Sequence, residues 1–179
     1  MASVEIIGLL CAGSTRYHEP GGHGSARDKL SRAELAGLLS GLDRVAMNLA
    51  LAKYAGDLEA ERMLIAQMRV WADGMAVHES WHIVKSRPTL SNMMALAVFE
   101  VVRPNRCPYC KGRGILKVKV CSGCGGSTFK SLSNRYIAEA SGIAESTYRA
   151  IWKERYERLY SHVRNIDSDV NNLLKLRHI

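Results

Sequence analysis

Apolar residues recur at helical spacing through most of this chain, and one short stretch alternates as a strand does. Ser31 and Glu34 bracket the run SRAE, the pattern of a capping box. Behind it Leu35, Leu38, Leu39, Leu42, Val45 and Leu49 form an apolar stripe that predicts a helix, with Gly41 placed to split it in two. A second helical pattern runs from Asp57 to about Lys85, with Leu58, Leu64, Met68, Trp71 and Met75 on one side. Such a Met and Trp stripe reads as core rather than as a cofactor box. Pro88 separates it from a shorter apolar segment, Leu90 to Val102, expected to be capped by Thr89 or Ser91 and stopped by Pro104. Further helical segments are expected over 131–140, 144–162 and 167–176. Residues 13–27, rich in Gly and Ser, read as a loop or mobile linker.

The strand-like stretch lies between two copies of one hook. Cys107-Pro-Tyr-Cys110-Lys-Gly and Cys121-Ser-Gly-Cys124-Gly-Gly both follow C-x-x-C-x-G, ten residues apart. Each hook lets two thiolates reach one ion, while the following glycine permits the tight turn and lets backbone N–H groups point at sulfur. Four thiolates suit a closed tetrahedral site, which leaves no position for water, so a single structural Zn2+ is expected at Cys107, Cys110, Cys121 and Cys124, with iron the lesser alternative. Between the hooks, ILKVKV predicts a hairpin strand with Leu116, Val118 and Val120 inward and Lys117 and Lys119 outward.

Just beyond lies IAEASGIAESTYRAI. Ala138 is small where two helices would cross, Gly142 supplies the positive φ of a sharp turn, and Ile143, Tyr148 and Ile151 would pack the second helix on the first. The pattern fits a helix-turn-helix. Its recognition helix would start near Ala144 and present Glu145, Ser146, Arg149, Ala150 and Lys153 to a DNA groove, with Arg135, Arg155 and Arg158 extending the backbone contacts. An ordinary basic helical hairpin is the plainer alternative.

Charge sharpens this picture. The formal net charge is +8. From Arg103 to Arg164 there are thirteen Lys or Arg against four Asp or Glu, and the rest of the chain holds twelve against thirteen. The whole excess is therefore local, as expected of a face that binds a polyanion. The opening segment is apolar but carries Glu5 and no basic flank, unlike a signal peptide, and no apolar run reaches the length of a membrane span. A cytoplasmic protein is expected, with no membrane partner. In that setting five cysteines point to metal rather than disulfides.

One motif competes. His78-Glu79-Ser80-Trp81-His82 matches H-E-x-x-H, which on a helix sets two imidazoles on one face for zinc and a glutamate beside them as general base. The nearest downstream acid for a third ligand is Glu100, beyond Pro88. This reading resembles the SprT-like metalloproteases, small basic proteins ending in a four-cysteine module, although here about fifty residues follow that module. A plain DNA-binding repressor is a further alternative.

An apolar helix, CPYCKGRG, a basic spacer, CSGCGG, and then a helix-turn-helix ending in a long basic helix resembles the Q-type late-gene antitermination proteins of lambdoid phages, over about Leu90 to Asn165. The resemblance implies a protein that is not an enzyme and that works in the cytoplasm of a bacterial host. Such a protein binds double-stranded DNA at a late promoter and engages host RNA polymerase paused nearby with sigma factor attached. It contacts the flap of the beta subunit at the RNA exit channel, close to nascent RNA, and suppresses pausing and termination. The four cysteines would then be the metal ligands, and the DNA contacts would come from Lys117, Lys119, Arg135, Glu145, Ser146, Arg149, Lys153 and Arg155.

The expected fold is mainly α: a helical body with a small four-cysteine zinc-binding β-hairpin module followed by a helix-turn-helix. Its divisions are a mobile segment over 1–30, the helical body over 31–104, the zinc module over 105–128, and the helix-turn-helix with the C-terminal helices over 129–179.

Overall fold

The computed structural model describes residues 37–81, 87–116 and 118–176. The Ser31 and Glu34 capping box, Lys117 and His82 lie outside them. The described chain is mostly helical, with one two-stranded antiparallel sheet and a cluster of four cysteines. Among the described residues no helix is long and apolar enough to cross a membrane. They fall into two compact units, one of 37–67 with 164–176 and the other within 68–163.

In the first unit a helical turn at 37–39 ends at Gly41, whose φ of 85° breaks the helix where the sequence suggested a split. Helix α1, Arg44–Ala50, then starts from Asp43, whose carboxylate accepts the Ala46 amide at 2.8 Å. It widens into a π-helical turn, Leu51–Ala55, and stops at left-handed Gly56. Asp57 caps the next helix, α2, Leu58–His78, by accepting the amides of Glu59 and Ala60. Leu49, Leu64, Val170 and Leu174 are buried in this unit. Beside them Lys53 reaches both carboxylate oxygens of Asp167 at 2.7 Å, and the Tyr54 hydroxyl donates to Asn171 at 2.9 Å. Burial, then the nearby Asp167 charge, push the Tyr54 pKa well up, so the phenol stays protonated as a donor.

The second unit is built on helix α3, Arg87–Val102, on which Leu90, Met93, Met94, Ala97 and Val98 are fully buried. The other helices of this unit are α4, Asn134–Ala140, and α5, Glu145–Thr147. The latter passes through a π-helical stretch, Tyr148–Trp152, into α6, Lys153–Leu176. Met68, Ala72 and Ala76 of α2 and Tyr148, Trp152, Tyr156, Leu159 and Val163 are also buried. Trp71 stacks on His162 with ring centroids 3.7 Å apart and planes 4° from parallel.

Several expectations change here. Leu58 is exposed, and small Ala60, Ala72 and Ala76 share the buried stripe of α2 with Leu64 and Met68. That helix ends at His78 rather than near Lys85. Ser80 takes φ 55°, its amide bonds the Val77 carbonyl, and the Trp81 amide reaches back to the Ala76 carbonyl at 2.8 Å. This is a Schellman stop with serine in the place glycine usually fills. The two helical segments are distinct as expected, but Pro88 sits not ahead of α3 but in its first turn, where a missing N–H costs nothing. Thr89 and Ser91 are therefore inside the helix and are not caps. The segments expected over 144–162 and 167–176 run without the break foreseen, since α6 is continuous.

Candidate metal centre and adjoining basic surface

The chain leaves α3 after Val102 and forms a short bridge, Arg106 opposite Phe129, that closes the neck of a small module. The Cys107 amide donates to the Thr128 carbonyl at 3.0 Å and the Lys130 amide to the Asn105 carbonyl at 2.8 Å. Within it, β1, Ile115–Leu116, pairs antiparallel with β2, Lys119–Val120, Ile115 facing Val120 and Leu116 facing Lys119.

Each hook folds back so that its cysteines meet those of the other. The four Sγ atoms all lie within 4.8 Å of one another, with Cys107 to Cys121 at 3.9 Å and Cys110 to Cys124 at 3.7 Å. A tetrahedron of thiolates with metal bonds of about 2.3 Å has edges of about 3.8 Å, so these separations fit a single ion. Cys107, Cys110 and Cys121 are fully buried, and no carboxylate or imidazole is grouped with them among the described residues. The donor set is all sulfur, and closed.

A backbone amide serves the sulfur as the hook pattern foresaw. Gly112 takes a positive φ, of 80°, and the amide of Gly114 reaches Cys110 Sγ at 3.2 Å. Gly114 itself has φ 74°, and a β-carbon there would come within 2.8 Å of the Gly126 carbonyl oxygen. Burial raises the Cys110 pKa, but the Gly114 amide and the neighbouring thiols outweigh it and bring the thiol down to about 6. Burial dominates at Cys121 and pushes it up to about 11. Four crowded sulfurs cannot all ionise without a cation among them.

The hairpin corrects an expectation. Leu116, Val118 and Val120 do not face inward: Val118 is 95% exposed and Val120 66%, as is Ile115 at 53%. Alternation points side chains inward only when a sheet has something to pack on, and two-residue strands tied down by cysteines have no core of their own. Lys119 is exposed as expected, and Lys117 lies outside the described residues.

Beyond the neck, Ser133 caps α4 by accepting the Tyr136 amide at 3.2 Å. The helix ends in a second Schellman stop. Gly142 at φ 73° gives its amide to the Glu139 carbonyl, and the Ile143 amide reaches the Ala138 carbonyl, both at 3.0 Å. Ala138 and Tyr148 are buried to 1% exposure, so α4 and the helix after the turn hold apolar faces in the core. Ile151 is not among them. A π-helical turn carries more residues per turn than an α-helix, so the third residue after Tyr148 is rotated away, and Trp152 is buried in its place. Burial, then the charges of Glu157 and Glu100, push the Tyr148 hydroxyl up to about 12.

The candidate DNA-contacting side chains separate into two sets. Glu145, Arg149 and Lys153 follow each other at four-residue spacing along one strip. Arg149 donates to Glu145 at 2.5 Å and Lys153 stands 4.0 Å from Glu157. Ser146 and Ala150 flank the strip and are exposed, as is Arg135 on α4. Arg155 belongs elsewhere: it lies 4.9 Å from the Trp81 ring and 5.0 Å from that of Trp152, and burial lowers its pKa. Arg158 pairs with Glu79.

Glu79 also accepts the Trp81 indole N–H at 3.0 Å. The helix carrying His78 has ended before Trp81, and His82, the second imidazole of the H-E-x-x-H motif, lies outside the described residues. Glu100, the acid considered as a third ligand, is instead buried with two partners of its own. It accepts the Leu132 amide at 2.9 Å and the Tyr156 hydroxyl at 2.8 Å. This tie between α3, the segment leaving the metal module and α6 was not legible as such. No protein-family model matches the chain, and no curated protein or solved structure matches it either.

Proposed function

We propose that this protein is a zinc-dependent DNA-binding regulator of transcription, acting as an antiterminator of the Q type. The observation that carries the reading is a four-sulfur cluster of tetrahedral dimensions in the same compact unit as a short helix, a tight turn and the first part of the long helix α6. Zinc fits an all-thiolate, closed and buried donor set, where it would supply folding free energy and no reaction. The turn at Gly142 and the buried Ala138 and Tyr148 are compatible with a helix-turn-helix. Glu145, Ser146, Arg149 and Lys153 then form the strip offered to the major groove, where Arg149 reads guanine and Lys153 neutralises phosphate.

In the free protein Arg149 is held by Glu145. On DNA that carboxylate either orients the guanidinium toward a guanine or accepts from a cytosine amino group, both of which favour G·C pairs. Lys119 and Arg135 add phosphate contacts. Arg155, held 4.9 Å from the Trp81 ring and 5.0 Å from that of Trp152, supports the recognition helix rather than reading DNA. RNA polymerase, its flap and sigma factor are the partners this reading implies, with DNA binding serving to concentrate the protein at a paused enzyme.

The test of the DNA-binding half is selection from a pool of random duplexes by the metal-loaded chain. A defined sequence should emerge, and Arg149→Ala should lose about 1 to 3 kcal/mol of discrimination at one position. Recovery of unselected sequence, equally by both proteins, contradicts it.

A further inference from the structure

From Val101 to Ala138 the chain carries eight Lys or Arg and not one Asp or Glu. This stretch contains the whole metal module, whose surface is not simply charged. Tyr109 is 63% exposed and Phe129 44%. The Tyr109 ring lies against Gly123, where a β-carbon would run into it, so one edge of the ring is fixed by backbone. The Lys130 ammonium stands 6.0 Å from the ring centroid, and its sequence neighbour Phe129 bridges Arg106 across the neck. Residues opposite one another in an antiparallel bridge point to the same side, so Phe129 and Arg106 share a face. Cations and solvent-facing rings thus alternate on a scaffold that the cysteines make rigid.

We infer that the metal module is a binding site for single-stranded nucleic acid, with Tyr109 and Phe129 stacking on unpaired bases and Lys130, Lys111 and Lys119 following the phosphates. A neutral protein partner would offer Lys111, Lys119 and Lys130 no counter-charge, whereas a polyanion releases counterions on binding. Duplex DNA satisfies the cations but keeps its base faces stacked and offers nothing to exposed rings. Unpaired bases use both features, and recognition of this kind is tolerant of sequence. The inference rests on the nucleic-acid reading of the basic segment. It does not depend on the helix pair reading a duplex sequence.

The experiment uses the full metal-loaded chain and two fluorescent probes, an oligouridylate of about 12 nucleotides, a length one small module can span, and a duplex carrying a selected site. The variants are Tyr109→Leu and Phe129→Leu, which keep apolar bulk and lose the π face, and Tyr109→Phe, which keeps it. Metal content and thermal transition are measured on each. The expected result is a loss of about tenfold in single-strand affinity for each leucine variant, wild-type affinity for Tyr109→Phe, and unchanged duplex binding. Three results overturn the inference: no single-strand binding by wild type at low salt, unchanged single-strand affinity in the folded leucine variants, or an equal loss on both probes. Failure of duplex selection with the single-strand pattern intact would instead remove the helix-pair reading alone.

Discussion

The Tyr156 hydroxyl donates to Glu100 at 2.8 Å inside the protein, 56 residues along the chain. The other carboxylate oxygen takes the Leu132 amide, so one buried acid fixes both the exit from the metal module and the start of the long C-terminal helix. Burial, and then the Glu100 charge, hold the Tyr156 pKa far above its ordinary value, so the phenol remains a donor. Glu100→Ala leaves a hydroxyl and an amide without partners and should cost about 3 kcal/mol. Glu100→Gln, which can still accept one bond and donate the other, should cost about 1 kcal/mol. Urea denaturation at neutral pH distinguishes them, and equal losses would show that an isosteric amide recovers none of the hydrogen bonding the carboxylate provides.

His162 should give the fold a pH dependence. Burial against Trp71 holds its pKa below the ordinary 6.5, so the unfolded chain takes up a proton before the folded one does. The stability this group contributes is complete above about pH 6.5 and falls as the pH drops below it. His162→Phe keeps a flat ring for Trp71 and removes the proton. The wild type should therefore lose melting temperature more steeply than the variant as the pH falls below about 6.5, while their slopes coincide above it.

Two glycines should respond in opposite directions. Gly114→Ala forces a side chain into a positive φ and against the Gly126 carbonyl, and should destabilise the metal module by about 2 kcal/mol. Gly74 sits in α2 with open space where a β-carbon would go, so Gly74→Ala should stabilise by up to about 1 kcal/mol. Thermal denaturation of the two single variants checks both signs.

The metal should be inseparable from the fold of its unit. Thiolates bound to zinc in small modules contribute on the order of 10 kcal/mol. Cys110→Ser, or a strong chelator, should abolish the cooperative transition of that unit and release one zinc per chain. A chelated protein that melts as before would contradict the metal reading.

The parts legible in the sequence were those whose cause is local. Paired hooks ten residues apart bring their sulfurs together because turn geometry leaves them little choice, and Gly41 and Gly142 mark breaks because few other residues accept a positive φ. The misreadings arose where the cause was distant or atypical. Nothing near Ser80 announces a left-handed serine, so α2 was expected to run on through His82. The alternation of ILKVKV assumes a core that a hairpin of two-residue strands does not have. The exchange of Ile151 for Trp152 follows from a π-helical turn that residue periodicity does not encode. Glu100 finds its partners 32 and 56 positions away, and only the assembled unit brings them within reach.

The central claim is that this protein acts on transcribing RNA polymerase, and single-round transcription across a downstream terminator tests it most directly. The template carries the selected duplex site beside the promoter, and metal-loaded protein is added before the polymerase escapes its early pause. Read-through should rise with wild type, and should fall back with Cys110→Ser or with a scrambled site. A drop in total transcript with unchanged termination efficiency would contradict antitermination and identify a repressor.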